Sequence, residues 1–372
     1  MRKNVCMGVL FPNAHDDLMG EMTEKRSMGS LPFCGRYRII DFTLSNLVNA
    51  GISKVGIVTK ANYQSLMDHI GTGKAWDLDR KSGGLFFLPP YSTNAAKPYT
   101  GHVDALFGAM DFLKKSVEEY VVMCDCDVIT NINLSAMIER HIESGADITI
   151  AYKKGVMPAN HHDVMNFKLD GDKITSIDFA AFDKADCNIS LDIIVMSREL
   201  LIDIVNEGHA HNYTSLARDI LNPYFGEYDM RGYEITEYAA VMDSPETYVK
   251  ATTDVVNCPE VRRQLFCKER PVFTKTRDDM PTIYGLDSDV KNSLVADGCI
   301  INGTVSNSVL FRGVKIGKGA VIENCIIMQD AVIEENVDLQ NVTVDKKVKV
   351  GMGKTLRGTT TYPIYVHKNA EV

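Results

Sequence analysis

The chain has 372 residues, 45% of them hydrophobic, and carries 40 Lys and Arg against 49 Asp and Glu, a formal charge of −9. This hydrophobic fraction supports sizeable cores and excludes wholesale disorder, and the length suits two domains at roughly 100–200 residues each. The acidic balance excludes a general binder of nucleic acids or anionic membranes, and no apolar run approaches the roughly 18 residues that span a bilayer.

Residues 1–10 hold two basic residues and a short apolar stretch, without the small-residue cleavage site of a signal peptide. Residues 4–11 read as a first strand. The helical spacing of 41–50 (DFTLSNLVNA) ends at Gly51. A second β-branched run, 54–59, is followed by a loop rich in Gly and Pro as far as Pro90. Residues 103–113 read as a helix, 119–127 (EYVVMCDCD) as a third strand, 134–144 as a helix and 146–152 as a fourth strand. Strands alternating with helices indicate βαβ units in a mainly parallel sheet. Ligands of such sheets lie beyond the carboxyl ends of the strands, which puts Asp125 and Asp127 on the binding edge.

Residues 251–285, with Pro259, Pro271 and Pro281, read as a linker between one domain at 1–250 and another at 286–372. In the second, apolar residues recur at Ile316, Ile322, Met328, Ile333, Leu339, Val344 and Val350. Steps of five and six residues with small or polar corners predict a left-handed parallel β-helix, in which each coil buries its apolar ladder against the next. An antiparallel meander would need turns about every 8–12 residues. The open ends of a β-helix favour an oligomer.

The nine cysteines are scattered through apolar runs, the usage of a reducing cytosol, so a cytoplasmic location is expected. Cys124-Asp125-Cys126 is too tight for a zinc knuckle. His161-His162-Asp163 reads as a surface loop, because neighbouring side chains on a strand point to opposite faces. No suitably spaced acid joins His209 and His211 into a metal site.

The segment Pro32-Phe33-Cys34-Gly35-Arg36-Tyr37-Arg38-Ile39-Ile40-Asp41-Phe42, with Leu44-Ser45-Asn46, resembles the ADP-glucose pyrophosphorylases (glucose-1-phosphate adenylyltransferases). So do His69-Ile70-Gly71, Trp76-Asp77-Leu78-Asp79-Arg80, Gly101 with Asp104-Ala105, and Asn292-Ser293-Leu294-Val295. The resemblance covers nearly the whole chain in order. It implies an α/β fold: a nucleotidyltransferase-like, Rossmann-type mixed-sheet domain followed by the β-helix, assembled as a tetramer. It also implies a reaction, the joining of ATP and glucose 1-phosphate into ADP-glucose and pyrophosphate for glycogen or starch. That chemistry needs a glycine-rich loop for the triphosphate, cations on the reacting phosphates and carboxylates for Mg2+.

Here the sequence departs from the family. Its GGxGxRL motif falls on Phe11-Pro12-Asn13-Ala14-His15-Asp16-Asp17-Leu18, with no glycine between Gly8 and Gly20. Pro12 removes an amide, and Asp16 and Asp17 bring negative charge. His15 reads as an ordinary polar loop residue. The lysine of the KPAVPF motif falls on Met28, that of EEKP near Phe182, and the metal-binding Asp of WKDVGT on Val241, two residues before Asp243. Asp127 alone matches a metal carboxylate, that of the SGDH motif. The pattern resembles the GlgD-type subunits of the family, which implies a regulatory, catalytically deficient partner of a catalytic subunit in a mixed tetramer, with Mg2+ serving the complex. The alternatives are an active adenylyltransferase rebuilt around Asp127 and Asp243 and, more distantly, a hexapeptide acyltransferase.

Thr23-Glu24-Lys25-Arg26 matches a T-x-K-R stretch of some members that contacts a phosphorylated activator. The resemblance implies an effector site at Lys25, Arg26 and Arg38; a solvated basic turn is the competing reading. Trp76, Asp77 and Asp104 are candidates for a remnant sugar-nucleotide pocket, with a rigid loop cap as the alternative for Trp76 and Asp77.

Overall fold

The computed structural model describes residues 5–60, 62–90, 99–155, 164–179, 187–359 and 362–372. The first half is built on β1 (Cys6–Phe11), β2 (Lys54–Val58), β3 (Gly84–Leu88), β4 (Tyr120–Asp125), β5 (Val128–Thr130), β6 (Ile148–Gly155), β7 (Asn166–Asp170), β8 (Lys173–Asp178), β9 (Cys187–Ser197), β10 (Met230–Glu234) and β11 (Ala239–Val241). Nine of these form one sheet in the order β3-β2-β1-β4-β9-β6-β10-β8-β7. From β3 to β4 all neighbours are parallel. The long β9 then runs antiparallel to both β4 and β6, and the far edge is mixed.

β1 shows why the sheet is a two-sided layer. Met7, Val9 and Phe11 enter one core, whereas Cys6 and Leu10 enter the other. The first core is covered by α3 (His102–Gly108), α4 (Met110–Lys115) and α6 (Arg198–Ala210), and the second by α1 (Ile39–Asn49), α2 (Gln64–Ile70) and α5 (Leu134–Ser144). The single helix expected at 103–113 is two short ones, meeting at Ala109. Among the described residues no helix is long and apolar enough to cross a membrane.

The stretch 251–285 is not a plain linker. α7 (Pro245–Asn257) and α8 (Pro259–Leu265) fill its first half. Pro245 and Pro259 each occupy a first helical turn, where a missing N–H costs nothing, so they start helices rather than break a chain. Tyr248, Ala251, Val255 and Leu265 pack with Phe33 and Phe42 from the first domain and Val309, Phe311, Ile326 and Met328 from the second. Residues 268–282 form neither helix nor strand and are tied down by Asn131 Nδ2, which donates to the Arg270 carbonyl at 2.8 Å, and by the Phe273 amide on Ser45 Oγ at 2.9 Å.

From Ile283 the chain coils through three parallel five-stranded sheets, a left-handed β-helix whose first rung begins three residues before the expected boundary at 286. Left-handed backbone recurs at equal intervals of 17 residues at its corners: Asn307, Asn324 and Asn341; Gly319, Asn336 and Gly353; Gly313, Asp330 and Lys347. Asn, Asp and Gly accept that conformation most readily, which is why the corners read as small or polar. The interior ladder runs Ile316, Ile322, Ile327, Ile333, Leu339, Val344 and Val350. Met328, expected inside, points outward into the core shared with the first domain, and Ile327 takes the interior place. Either residue fits the spacing; the neighbouring domain decides between them.

Candidate functional site

A cavity of about 370 Å3 opens beyond the carboxyl ends of β1, β2 and β4, walled by Phe11, Val58 and Asp125 from those ends. A loop and the start of α3 bring Tyr99, Thr100 and His102. The opposite wall is Thr214, Ser215, Ala217 and Arg218, leading into a π-helical turn at Leu216–Leu221. Such turns are rare and frequently found at functional sites. Gly101 lets the two walls meet, since a Cβ there would lie 2.2 Å from the Thr214 carbonyl oxygen. Arg218 stacks over Phe179 at 4.4 Å.

The floor is a cluster of acids with two imidazoles on it. His15 Nδ1 lies 2.7 Å from Asp127 Oδ2. His102 Nε2 lies 2.9 and 3.2 Å from the two oxygens of Asp125 and packs edge-on against Phe11. Asp192 lines the cavity from an irregular stretch of β9, in left-handed backbone (φ 48°), and accepts from Ser190 Oγ at 3.0 Å. Burial opposes charge on His15, yet Asp127, backed by Asp125 and Asp192, pushes it up to about 10. Asp125 likewise raises His102 against burial. Burial, with Asp125 and Asp127 nearby, pushes Asp192 up to about 6.

The turn after β1 explains why His15 is there. Residues Asp16–Met22 wind into 3-10 turns, and Asp16 folds back, accepting from the Met28 amide at 2.6 Å and from Asn13 Nδ2 at 2.7 Å. A side-chain carboxylate thus occupies amide hydrogen bonding that a phosphate-binding loop would leave open. The Gly29 amide is likewise spent on the Pro12 carbonyl at 3.0 Å. Met28 is 1% exposed in the core shared by the two domains, so no cation reaches the cavity from that position. His15 is therefore no ordinary loop residue: the turn presents it to Asp127.

A divalent ion such as Mg2+ asks for several oxygen ligands in octahedral array. The residues present do not fit it. Asp127 is 3% exposed, contributes nothing to the cavity wall and meets His15 instead. Asp243 lies outside the cavity at the start of α7, accepting from Ser244 Oγ at 3.2 Å. Among the described residues no three His, Cys, Asp or Glu side chains are grouped to hold a metal.

A second cavity, about 410 Å3, lies between the domains. Lys25, Arg36 and Arg38 face it from the first domain, Lys275 and Arg277 from the connection, and Arg312, Lys346, Lys347 and Lys368 from the β-helix, against Asp68 and Asp330. Burial, together with Arg26 and Arg277, lowers Arg38 to about 10, although Asp41 and Asp68 oppose the shift. Burial, Arg38 and Arg26 hold Lys346 well below its ordinary value. Crowded, partly desolvated cations of one sign make a site for a polyanion.

The structure brings Lys25 and Arg38 to this cleft but not Arg26. Arg26 is 3% exposed and pairs with Asp345 at 2.5 Å, a strut across the domain boundary. Trp76 lines neither cavity: it is 1% exposed and packs edge-on to His69. Asp77 is exposed and paired with Arg80, away from both cavities. Asp104 sits in the first turn of α3, bonded to Thr100, and does not line the first cavity, although Thr100 does. His209 stacks on Phe107 and His211 on Tyr213. His161, His162, Asp163 and Phe182 lie outside the described residues. The nine cysteines are all free, and burial raises the Cys124 and Cys126 thiols.

Sequence reasoning missed His102, Asp192, Lys60 and Arg218 in the first cavity and every β-helix cation in the second. The adjacent Lys346-Lys347 at a coil corner was the available signal for the cleft. Nothing comparable marks His102, which reaches Asp125 only after the sheet forms.

Residues 19–178 match the nucleotidyl transferase family and residues 283–358 the GlmU-like C-terminal hexapeptide family. Over 99% of its length the chain is 36% identical to a Bacillus subtilis (strain 168) protein named glycogen biosynthesis protein GlgD, covering 97% of it. A protein of the same name from Geobacillus stearothermophilus is 37% identical over 86% of this chain and 83% of its own length. A glucose-1-phosphate adenylyltransferase of Acetivibrio thermocellus is 31% identical over 94% of this chain and 83% of its own.

Proposed function

The chain belongs to the ADP-glucose pyrophosphorylase (glucose-1-phosphate adenylyltransferase) family, in its GlgD-type branch, and from that membership we propose that it is a regulatory, catalytically deficient subunit. It assembles with a catalytic subunit in a mixed tetramer in the cytoplasm and raises the synthesis of ADP-glucose from ATP and glucose 1-phosphate for glycogen. Mg2+ then serves the catalytic partner's site rather than this chain's.

The observation that carries this reading is the turn after β1. In-line transfer of a nucleotidyl group depends on amides and cations preset around the phosphates, each worth roughly 2–4 kcal/mol at the transition state. Here the Met28 amide is taken by Asp16, the matching lysine position is a buried methionine, and Asp127 is covered by His15. A chain retaining the fold without that equipment acts through a partner. The apolar residues left exposed around the first β-helix rung, Met280, Ile283, Tyr284 and Leu286, supply surface for such assembly.

The basic cleft is the effector site of this reading. It takes a phosphorylated metabolite, a sugar bisphosphate or inorganic phosphate, through Lys25 and Arg38 with the cations of the β-helix facing them. The test is to coexpress the chain with a catalytic subunit from the same cell. The two should copurify, and turnover per catalytic subunit should exceed that of the catalytic subunit alone. Separate elution with unchanged turnover contradicts the proposal.

A further inference from the structure

The cavity beyond β1, β2 and β4 keeps the place of a metal-assisted site and three acids, Asp125, Asp127 and Asp192, at or behind its wall, yet these acids are occupied from within. His15 stands between Asp127 and the cavity: the imidazole lines the wall and the carboxylate behind it does not. His102 spans both oxygens of Asp125. Asp192 reaches the cavity wall but accepts from Ser190 Oγ at 3.0 Å. A metal ion bridging Asp127 to a ligand in the cavity would have to displace His15. One oxygen of the cluster, Asp127 Oδ1, is buried without a partner among the described residues, and a single oxygen does not make a site for an octahedral ion.

We infer that this cavity excludes divalent cations, with His15 and His102 as the side chains that take the metal's place, so that any ligand it binds is bound without a metal. The inference deepens the regulatory reading in one respect: it takes Asp127 as the family's metal carboxylate. It differs in what it claims, because a chain could be inactive and still bind a metal. The two His residues are positioning residues here: His15 holds Asp127 behind the wall, and His102 occupies the oxygens of Asp125, which does reach the cavity.

Mn2+ alone, followed by electron paramagnetic resonance, is the probe, and no turnover is measured. The wild-type chain should leave the free Mn2+ signal unchanged up to millimolar metal, as should His15→Gln, which keeps a donor near Asp127. His15→Ala combined with His102→Ala should gain one Mn2+ per chain and lose it again when Asp127→Asn is added. Mn2+ binding by the wild-type chain that disappears in Asp127→Asn overturns the inference, whether or not the alanine variant folds. A folded double-alanine variant that gains no site also overturns it. ADP-glucose formation, measured separately, tests the regulatory reading, so the two fail independently.

Discussion

Arg26 and Asp345 are 319 positions apart in the chain and 2.5 Å apart in space, joined where the first domain meets the β-helix. Both side chains are nearly fully buried, and Tyr365 Oη donates to the same carboxylate oxygen at 2.7 Å. Removing one partner strands a buried charge, which costs about 3–5 kcal/mol, whereas replacing both with apolar residues of similar size is far milder. Arg26→Met should therefore lower the urea midpoint sharply, and Arg26→Met with Asp345→Leu should recover much of the loss.

Lys346 lies one residue from that strut and faces the basic cleft. Burial and the charges of Arg38 and Arg26 depress it, so its charge weakens the folded state at neutral pH. Lys346→Met should raise the melting temperature while weakening fructose 1,6-bisphosphate binding about tenfold, near 1.4 kcal/mol. Binding isothermal titration and a melt on the same sample check both signs. Binding to the wild-type chain should also take up protons, because an anion favours charged lysine.

Asp192 gives the first cavity a pH dependence. Its carboxyl is raised in the folded state to about 6, above its ordinary value of 3.8. A raised folded value means that the contribution to stability is fully present below the unfolded value, near pH 4, and is lost as pH rises through 6. At pH 7 the ionised group therefore costs stability. Asp192→Asn, which keeps a residue tolerant of left-handed backbone, should stabilise the protein at pH 7 by on the order of 1–3 kcal/mol and by much less at pH 4. Urea unfolding at both pH values measures the difference.

Gly101 permits the contact between the cavity walls. Alanine there would put Cβ 2.2 Å from the Thr214 oxygen, backbone that cannot yield as a flexible side chain does. Gly101→Ala should cost about 1–3 kcal/mol. Gly226→Ala, where nothing lies within 4 Å of the added atom, should unfold close to wild type.

Much of the architecture was legible because it is local and periodic. Within the run 119–127 the strand Tyr120–Asp125 alternates into both cores and ends on Asp125, so its place as a central strand pointing acids at the binding edge follows from its pattern. The coils were legible from their spacing, but Met328 was not, because its outward turn depends on Tyr248 and Phe33 of another domain. The missing glycines of the first turn were plain in the sequence. What fills their place was not: His15 and Asp127 are 112 positions apart, and only the parallel pairing of β1 with β4 brings their ends together. The basic cleft was half legible for the same reason. Lys25 and Arg38 sit on one domain, and the cations facing them come from the other. Pro259 misled in a physical way, since proline breaks a helix interior but suits a first turn.

The most direct test of the regulatory reading is the rate at which the purified chain, with Mg2+, ATP and glucose 1-phosphate but no other subunit, releases pyrophosphate. The account predicts a rate at the background of the assay, unchanged by fructose 1,6-bisphosphate. Steady release at several turnovers per second, abolished by Asp127→Asn, would contradict it.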